Sequence, residues 1–194
     1  MPLARARLAA VHAVQLRQAR LDDLASHKPY APRQLRRWSA QWHRSRTRDL
    51  PLLEDLTERL WQHVPPQTET TLVHGDLHLR NVIMSPQTNE VAAVLDWELS
   101  TLGDPLADVG TLLAYWPAAD EVGIDPFTPS ALPGFPTRDE LVMTYAEASG
   151  RDTSDVPFWH ALGLWKLAVI GEGVLRRAQD EPRNRAESGT PTAD

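Results

Sequence analysis

The chain has 194 residues, 42% of them apolar and 24% charged, with 20 basic and 26 acidic side chains for a formal charge of −6. That length suits one ordinary domain or two small ones with a real core, and the composition excludes wholesale disorder. Cysteine is absent, which excludes disulfide frameworks, zinc–thiolate sites, iron–sulfur clusters and thiol nucleophiles. No apolar run approaches the ~20 residues of a membrane span, and the first residues lack a signal-peptide core. A cytoplasmic protein with no membrane partner is therefore expected.

Along the chain, Leu3, Ala6, Ala10 and Val14 recur at helical spacing and predict a first helix. The segment His27-Lys28-Pro29-Tyr30-Ala31-Pro32 breaks it. Leu35, Trp38 and Trp42 predict a second helix, with arginines around the rest of its surface. A third follows from Pro51, with an apolar stripe of Leu53, Leu56, Leu60 and Val64, and Pro65-Pro66 closes it. From Thr70 the texture changes to short runs rich in β-branched or apolar residues: 70–73, 81–84 and 91–95. Turn residues at 85–89 join the last two into a predicted β-hairpin.

Gly103-Asp104-Pro105 supplies an N-cap aspartate and a proline for a helix through Val109, Leu112, Leu113 and Trp116. Residues 117–136, rich in proline, predict a long loop. Thr137 and Glu140 form a capping box for a helix ending near Ser149. The last helix, from Val156 to about Ala178, is apolar on most sides and reads as buried. From Glu181 the chain turns polar and is expected to fray.

Chemistry concentrates in Val73-His74-Gly75-Asp76-Leu77-His78-Leu79-Arg80-Asn81 and Val94-Leu95-Asp96-Trp97-Glu98. An aspartate ends one strand-like run, an asparagine follows five residues later, and a second aspartate ends the return strand of the hairpin. Phosphoryl transfer needs such parts: a carboxylate to orient an attacking hydroxyl and accept its proton, and hard oxygen ligands for Mg²⁺ on the phosphates. Protein kinases space the same groups as H-R-D-L-x-x-x-N followed by D-F-G. Here Gly75 stands in the arginine position and Trp97-Glu98 in that of Phe-Gly.

His74-Gly75-Asp76 with Asn81, Leu95-Asp96-Trp97 and Gly103-Asp104-Pro105-Leu106-Ala107-Asp108-Val109-Gly110 together resemble the aminoglycoside phosphotransferase and choline kinase group of small-molecule kinases. The segments Arg36-Arg37-Trp38-Ser39 and Leu113-Ala114-Tyr115-Trp116 look closest to the branch of kinase-like domains fused to acyl-CoA dehydrogenases. The resemblance runs from the first helix to about Arg177. It implies an α+β fold, mostly α: the C-terminal lobe of a protein-kinase-like fold, residues 1–180, with a small β-hairpin at the catalytic loop.

The resemblance also implies ATP and Mg²⁺ as cofactors. Asp76 matches the catalytic base, and Asn81 and Asp96 match the Mg²⁺ ligands. His74 and Asp108 match positions that brace the loop. Glu98 is placed either for a second metal or for holding the loop.

The family clamps ATP with a first lobe that carries a Gly-rich loop and a strand lysine. This sequence has no G-x-G-x-x-G, its only lysines are Lys28 and Lys166, and Gly171-Glu172-Gly173 falls inside a predicted helix. The chain is expected to be the second lobe alone, with poor nucleotide affinity and a partner lobe encoded separately ahead of residue 1. A truncated, non-catalytic binding or partner module of the same fold is the competing reading. A metal-dependent hydrolase using His74, Asp76 and His78 is a third, with His78 otherwise read as a solvent-facing loop residue.

Charge is unevenly distributed. Residues 1–48 carry 11 basic and 2 acidic side chains, and residues 49–194 carry 9 basic and 24 acidic. The cluster Arg33, Arg36, Arg37, Arg44, Arg46 and Arg48 suits either the phosphates of a hydroxyacyl-coenzyme A substrate or a solvated helix face packed through Trp38 and Trp42. The acidic remainder suits a polycationic, aminoglycoside-like acceptor and repels nucleic acid, which is not expected as a partner. Trp38, Trp42, Trp159 and Trp165, at helical spacing, read most simply as core; Trp97 and Trp116 suit the border of a substrate pocket, though core is again the simpler reading.

Overall fold

The computed structural model describes residues 3–88, 90–118, 121, 130 and 132–181. Its helices are α1 (Leu3–His12), α2 (Tyr30–Ser45), α3 (Pro51–Gln62), α4 (Leu106–Ala114), α5 (Arg138–Ser149) and α6 (Val156–Asp180). The strands are β1 (Thr71–Val73), β2 (Val82–Met84), β3 (Val91–Val94) and β4 (Thr101–Gly103), with single 3₁₀ turns at Leu79–Asn81 and Trp97–Leu99. No helix among the described residues is long and apolar enough to cross a membrane. Most of the long loop expected at 117–136, and residues 182–194 of the expected tail, lie outside the described residues.

Two compact units make up the chain: Met1–Tyr30 with Pro65–Gly163, and Ala31–Val64 with Leu164–Asp194. In the first, β2 and β3 form the expected antiparallel hairpin, Val82 opposite Val94, with a register shift between Ile83 and Met84. A second antiparallel pair joins β1 to β4, with Thr71 opposite Gly103 and Val73 opposite Thr101. β4 escaped sequence reading because three residues carry no period, and its partner lies some thirty positions away. Around these strands Val73, Leu102, Val109, Leu113, Tyr145, Trp159 and Leu162 form a buried core.

Local chemistry explains the helix starts. Thr137 and Glu140 make the expected reciprocal capping box on α5. The Asp104 carboxylate accepts from Leu106 N–H at 2.9 Å, so the predicted cap operates one position before the first regular turn of α4. Pro32 does not delay α2, which begins at Tyr30, because a proline in the first turn removes no helical hydrogen bond. Among the described side chains of α1, Leu8, Ala9 and His12 are buried while Ala10 is exposed, a correction at Ala10 to the expected stripe, whose Leu3 and Ala6 side chains lie outside the described ones. A helix so rich in alanine does not announce its inner face.

α4 crosses the start of α6 at backbone contact. A Cβ on Gly110 would lie 2.3 Å from the carbonyl carbon and oxygen of Trp159, and one on Gly163 would lie 2.8 Å from the Gly110 oxygen. The crossing needs glycine on both helices.

The second unit packs α2, α3 and the rest of α6 through Leu35, Trp42, Leu53, Leu60, Trp165 and Val169. Trp165 Nε1–H donates to Thr57 Oγ1 at 2.8 Å. Glu172, 4% exposed, accepts from the backbone N–H of Thr47 at 2.7 Å and from its hydroxyl, and lies 3.6 Å from Arg48 Nε. Gly171-Glu172-Gly173 is thus part of a helix that anchors the α2–α3 link.

Candidate active site

β1 ends in the segment His74-Gly75-Asp76, whose path is set from α4. The Asp108 carboxylate, fully buried, accepts from His74 N–H at 2.7 Å and Gly75 N–H at 2.8 Å. Gly75 has φ +82°, and a Cβ there would lie 2.6 Å from the Leu99 carbonyl oxygen, so only glycine makes this turn.

Asp108 has a third partner that sequence reading missed. His12, at the end of α1, brings Nε2 to 3.2 Å from Asp108 Oδ2, and its Nδ1 lies 2.8 Å from the Tyr145 hydroxyl on α5. With Nε2–H directed at the carboxylate, Nδ1 accepts the Tyr145 proton. Burial pushes the Tyr145 hydroxyl up to about 12, so it stays protonated and able to donate. Arg151 closes the same end of α1, donating to the His12 carbonyl at 3.0 Å while forked onto Glu69 at 2.7 Å on each arm. That fork holds the Glu69 carboxyl below its usual range. The one available signal was a histidine four residues after a core leucine, on a helix with little else to mark its inner face.

His74 carries the connection onward. Its Nε2–H donates to the Leu95 carbonyl at 2.8 Å, and its Nδ1 accepts from Asp76 N–H at 3.3 Å. The ring lies 4.8 Å from that of Trp97. Leu95 N–H donates to the Asn81 carbonyl at 2.8 Å, and Asn81 Nδ2 donates to the Asp76 carbonyl at 2.9 Å. These bonds tie Asn81 to the Asp76 backbone on one side and, on the other, to Leu95, the residue before Asp96. Asn81 is buried, Asp76 half-buried, and Asp96 and Glu98 are exposed.

Asp96 sits at φ +64°, ψ 56°, opens the 3₁₀ turn Trp97–Leu99 and makes no side-chain cap to it. Left-handed backbone in a non-glycine residue is costly and is tolerated best by Asp and Asn. The Asp96 carboxylate is exposed, and the Asn81 amide, bonded through Nδ2, keeps its oxygen as an acceptor. One carboxylate and one amide oxygen are hard donors of the kind that hold Mg²⁺ together with substrate phosphates. The residues therefore fit that ion.

Three expectations change. His78 is not solvent-facing: its side chain is 11% exposed and its ring lies 4.5 Å from that of Tyr115. Its Nδ1 accepts from Arg80 N–H at 3.3 Å, and its Nε2 lies 3.6 Å from Asp76 Oδ2. The Tyr115 hydroxyl is pushed up to about 12 by burial and, secondly, by the charge of Asp76, and its ring contact with His78 is a neighbour relationship the sequence did not reveal.

The metal-hydrolase reading fails because both His74 ring nitrogens are engaged and one of His78's is. No group of three His, Cys, Asp or Glu suited to a metal occurs among the described residues. Trp97, expected in the core, is 37% exposed, whereas Trp116 is buried as expected. Arg33, Arg36 and Arg37 lie on α2, in the other unit.

The chain is similar to known proteins. Over 175 residues the chain is 38% identical to mouse acyl-CoA dehydrogenase family member 10, matching 88% of this chain and 16% of that protein. It is 34% identical over 176 residues to human acyl-CoA dehydrogenase family member 11, matching 88% of this chain and 22% of that protein. The chain thus spans about a fifth of the length of these relatives. A solved structure from Ralstonia eutropha, assigned as an aminoglycoside phosphotransferase, superposes with a TM-score of 0.79 at 34% identity, covering 96% of this chain and 57% of that one.

A macrolide 2′-phosphotransferase of type I superposes with a TM-score of 0.61 at 20% identity, a likeness of fold, covering 96% of this chain and 55% of that one. The fold is the α+β, kinase-like one of these phosphotransferases. With residues 4–157 matching the model of the phosphotransferase enzyme family, the chain belongs to that family.

Proposed function

We propose that the chain carries the phosphoryl-acceptor and Mg²⁺-binding half of an ATP-dependent small-molecule kinase that phosphorylates a hydroxyl group. The observation that supports this most directly is the bonding of Asn81, whose Nδ2 donates to the Asp76 carbonyl and whose backbone carbonyl accepts from Leu95 N–H, linking the Asp76 loop to the residue before Asp96. In this reading Asp76 orients the acceptor hydroxyl and takes its proton as the oxygen bonds to the γ-phosphorus and ADP leaves. Asn81 and Asp96 would hold Mg²⁺, whose charge offsets that of the phosphates when bound. His74 and Asp108 position the loop, and Glu98 is placed beside the second metal or the loop itself. A Gly-rich loop and strand lysine, missing from this sequence, would come from other residues than those of this chain.

The acceptor class supported best is a hydroxyacyl-coenzyme A, through similarity to acyl-CoA dehydrogenase family members and the basic second helix. An aminoglycoside-like acceptor is the alternative, and the cytoplasm is the expected compartment. The test measures transfer of labelled γ-phosphoryl from ATP to hydroxyacyl-coenzyme A and to aminoglycosides, with the chain joined to a nucleotide-clamping lobe. Transfer abolished in Asp76→Asn and Asp96→Asn is the expected result, and undiminished turnover in purified Asp96→Asn would refute the Mg²⁺ assignment.

The second reading is a non-catalytic binding or partner module of the same fold. It predicts no transfer even with a lobe supplied.

A further inference from the structure

The arginines of α2 and the turn after it divide by partner. Arg46 lies 3.6 Å from Asp49 and 3.4 Å from Glu54, Arg48 lies 3.6 Å from Glu172, and Arg44 donates to Gln41 at 3.1 Å. Arg33 is half-buried and engaged in contacts of its own. Arg36 and Arg37 differ: both are exposed, neither forms an ion pair among the described residues, and each lies over an indole instead.

The Arg36 guanidinium is 5.8 Å from the Trp61 ring centroid and that of Arg37 is 5.5 Å from the Trp38 centroid. Lys166 Nζ stands 5.4 Å from the same Trp38 ring, and Trp38 Nε1–H is held by Gln34 Oε1 at 3.1 Å.

Stacking on an aromatic face fixes a guanidinium while leaving its in-plane N–H donors available for a second, anionic partner. A forked guanidinium matches phosphate oxygens in particular. Trp61, 39% exposed, adds ring surface of the kind on which a nucleobase stacks.

We infer that this basic–aromatic face of the second unit binds the phosphate-bearing nucleotide end of a coenzyme A-type ligand, with Arg36 and Arg37 on phosphate oxygens and Trp61 against the base. The choice of ligand rests on the acceptor class proposed above, whereas the face itself can be tested without catalysis.

Calorimetric titration of the full chain with coenzyme A, 3′,5′-ADP, pantetheine and inorganic pyrophosphate is the experiment. Coenzyme A and 3′,5′-ADP are expected to bind alike, with pantetheine and pyrophosphate much weaker. Arg36→Gln and Arg37→Gln should each weaken coenzyme A by about tenfold, as for loss of a charge-assisted hydrogen bond. Both sites are exposed, and circular dichroism melts confirm that the variants fold.

Equal coenzyme A affinity in the double variant and the parent overturns the inference. Pyrophosphate binding as tightly as 3′,5′-ADP overturns the nucleotide assignment. If coenzyme A binds through Arg36 and Arg37 while no phosphoryl transfer occurs in any form, the face stands and the kinase reading falls.

Discussion

His12 Nε2 lies 3.2 Å from Asp108 Oδ2, and both side chains are fully buried. Asp108 is the residue that holds the backbone of His74 and Gly75. The end of the first helix therefore supports the His74–Asp76 turn through one carboxylate, and Tyr145 supports His12 from the opposite side. A buried carboxylate with three donors is tolerable, and removing one leaves charge without compensation.

His12→Phe should lower unfolding stability by about 2–4 kcal/mol, since it strips a donor from buried Asp108 and orphans the Tyr145 hydroxyl. His12→Gln, which keeps a donor, should recover part of that loss. Urea unfolding of the three proteins decides the matter. An unchanged midpoint for His12→Phe would show that Asp108 does not depend on it.

Asp104 offers a pH test. Burial, opposed by its bond from Leu106 N–H, pushes its carboxyl up to about 6. A folded pKa above the unfolded one means the native state binds the proton more tightly, so this group's contribution to stability is full below about pH 4 and is lost as pH rises through 6. Asp104→Asn keeps an acceptor for Leu106 and removes the charge. It should be more stable than the parent at pH 7.5 by about 1–2 kcal/mol, with the gain vanishing near pH 3.5. A gain of equal size at both pH values would contradict the buried-charge explanation.

Two glycines of similar setting should respond in opposite directions. Gly110→Ala forces a methyl to 2.3 Å from the Trp159 carbonyl and must part α4 from α6, costing about 3 kcal/mol or more. Gly171→Ala, also within a helix, meets nothing within 4 Å and should gain roughly 0.5–1 kcal/mol from helix propensity. Thermal melts of both variants read out the contrast.

Asp96 combines an unusual backbone with a proposed metal role, and two substitutions separate them. Asp96→Asn tolerates φ +64° and should melt near the parent, whereas Asp96→Ala should lose about 1 kcal/mol or more. Both should abolish the effect of Mg²⁺ on ATP binding, measured by titration with and without the ion. Retention of a Mg²⁺ effect in both variants would remove Asp96 from the metal site.

The sequence by itself determined the parts that local chemistry specifies: the β2–β3 hairpin, the Thr137–Glu140 capping box and the Asp104 cap. Each depends on residues close along the chain, where spacing and side-chain type are legible. Tertiary structure alone decided that His12 and Tyr145 brace Asp108, across 96 residues from His12 to Asp108 and 133 from His12 to Tyr145. It alone paired β1 with β4, packed His78 against Tyr115, and set Arg46 and Arg48, in the turn after α2, beside carboxylates while Arg36 and Arg37 of α2 stack on indoles. Contacts between distant segments form only when the chain closes long loops, and no periodicity in the residues themselves records which segments will meet.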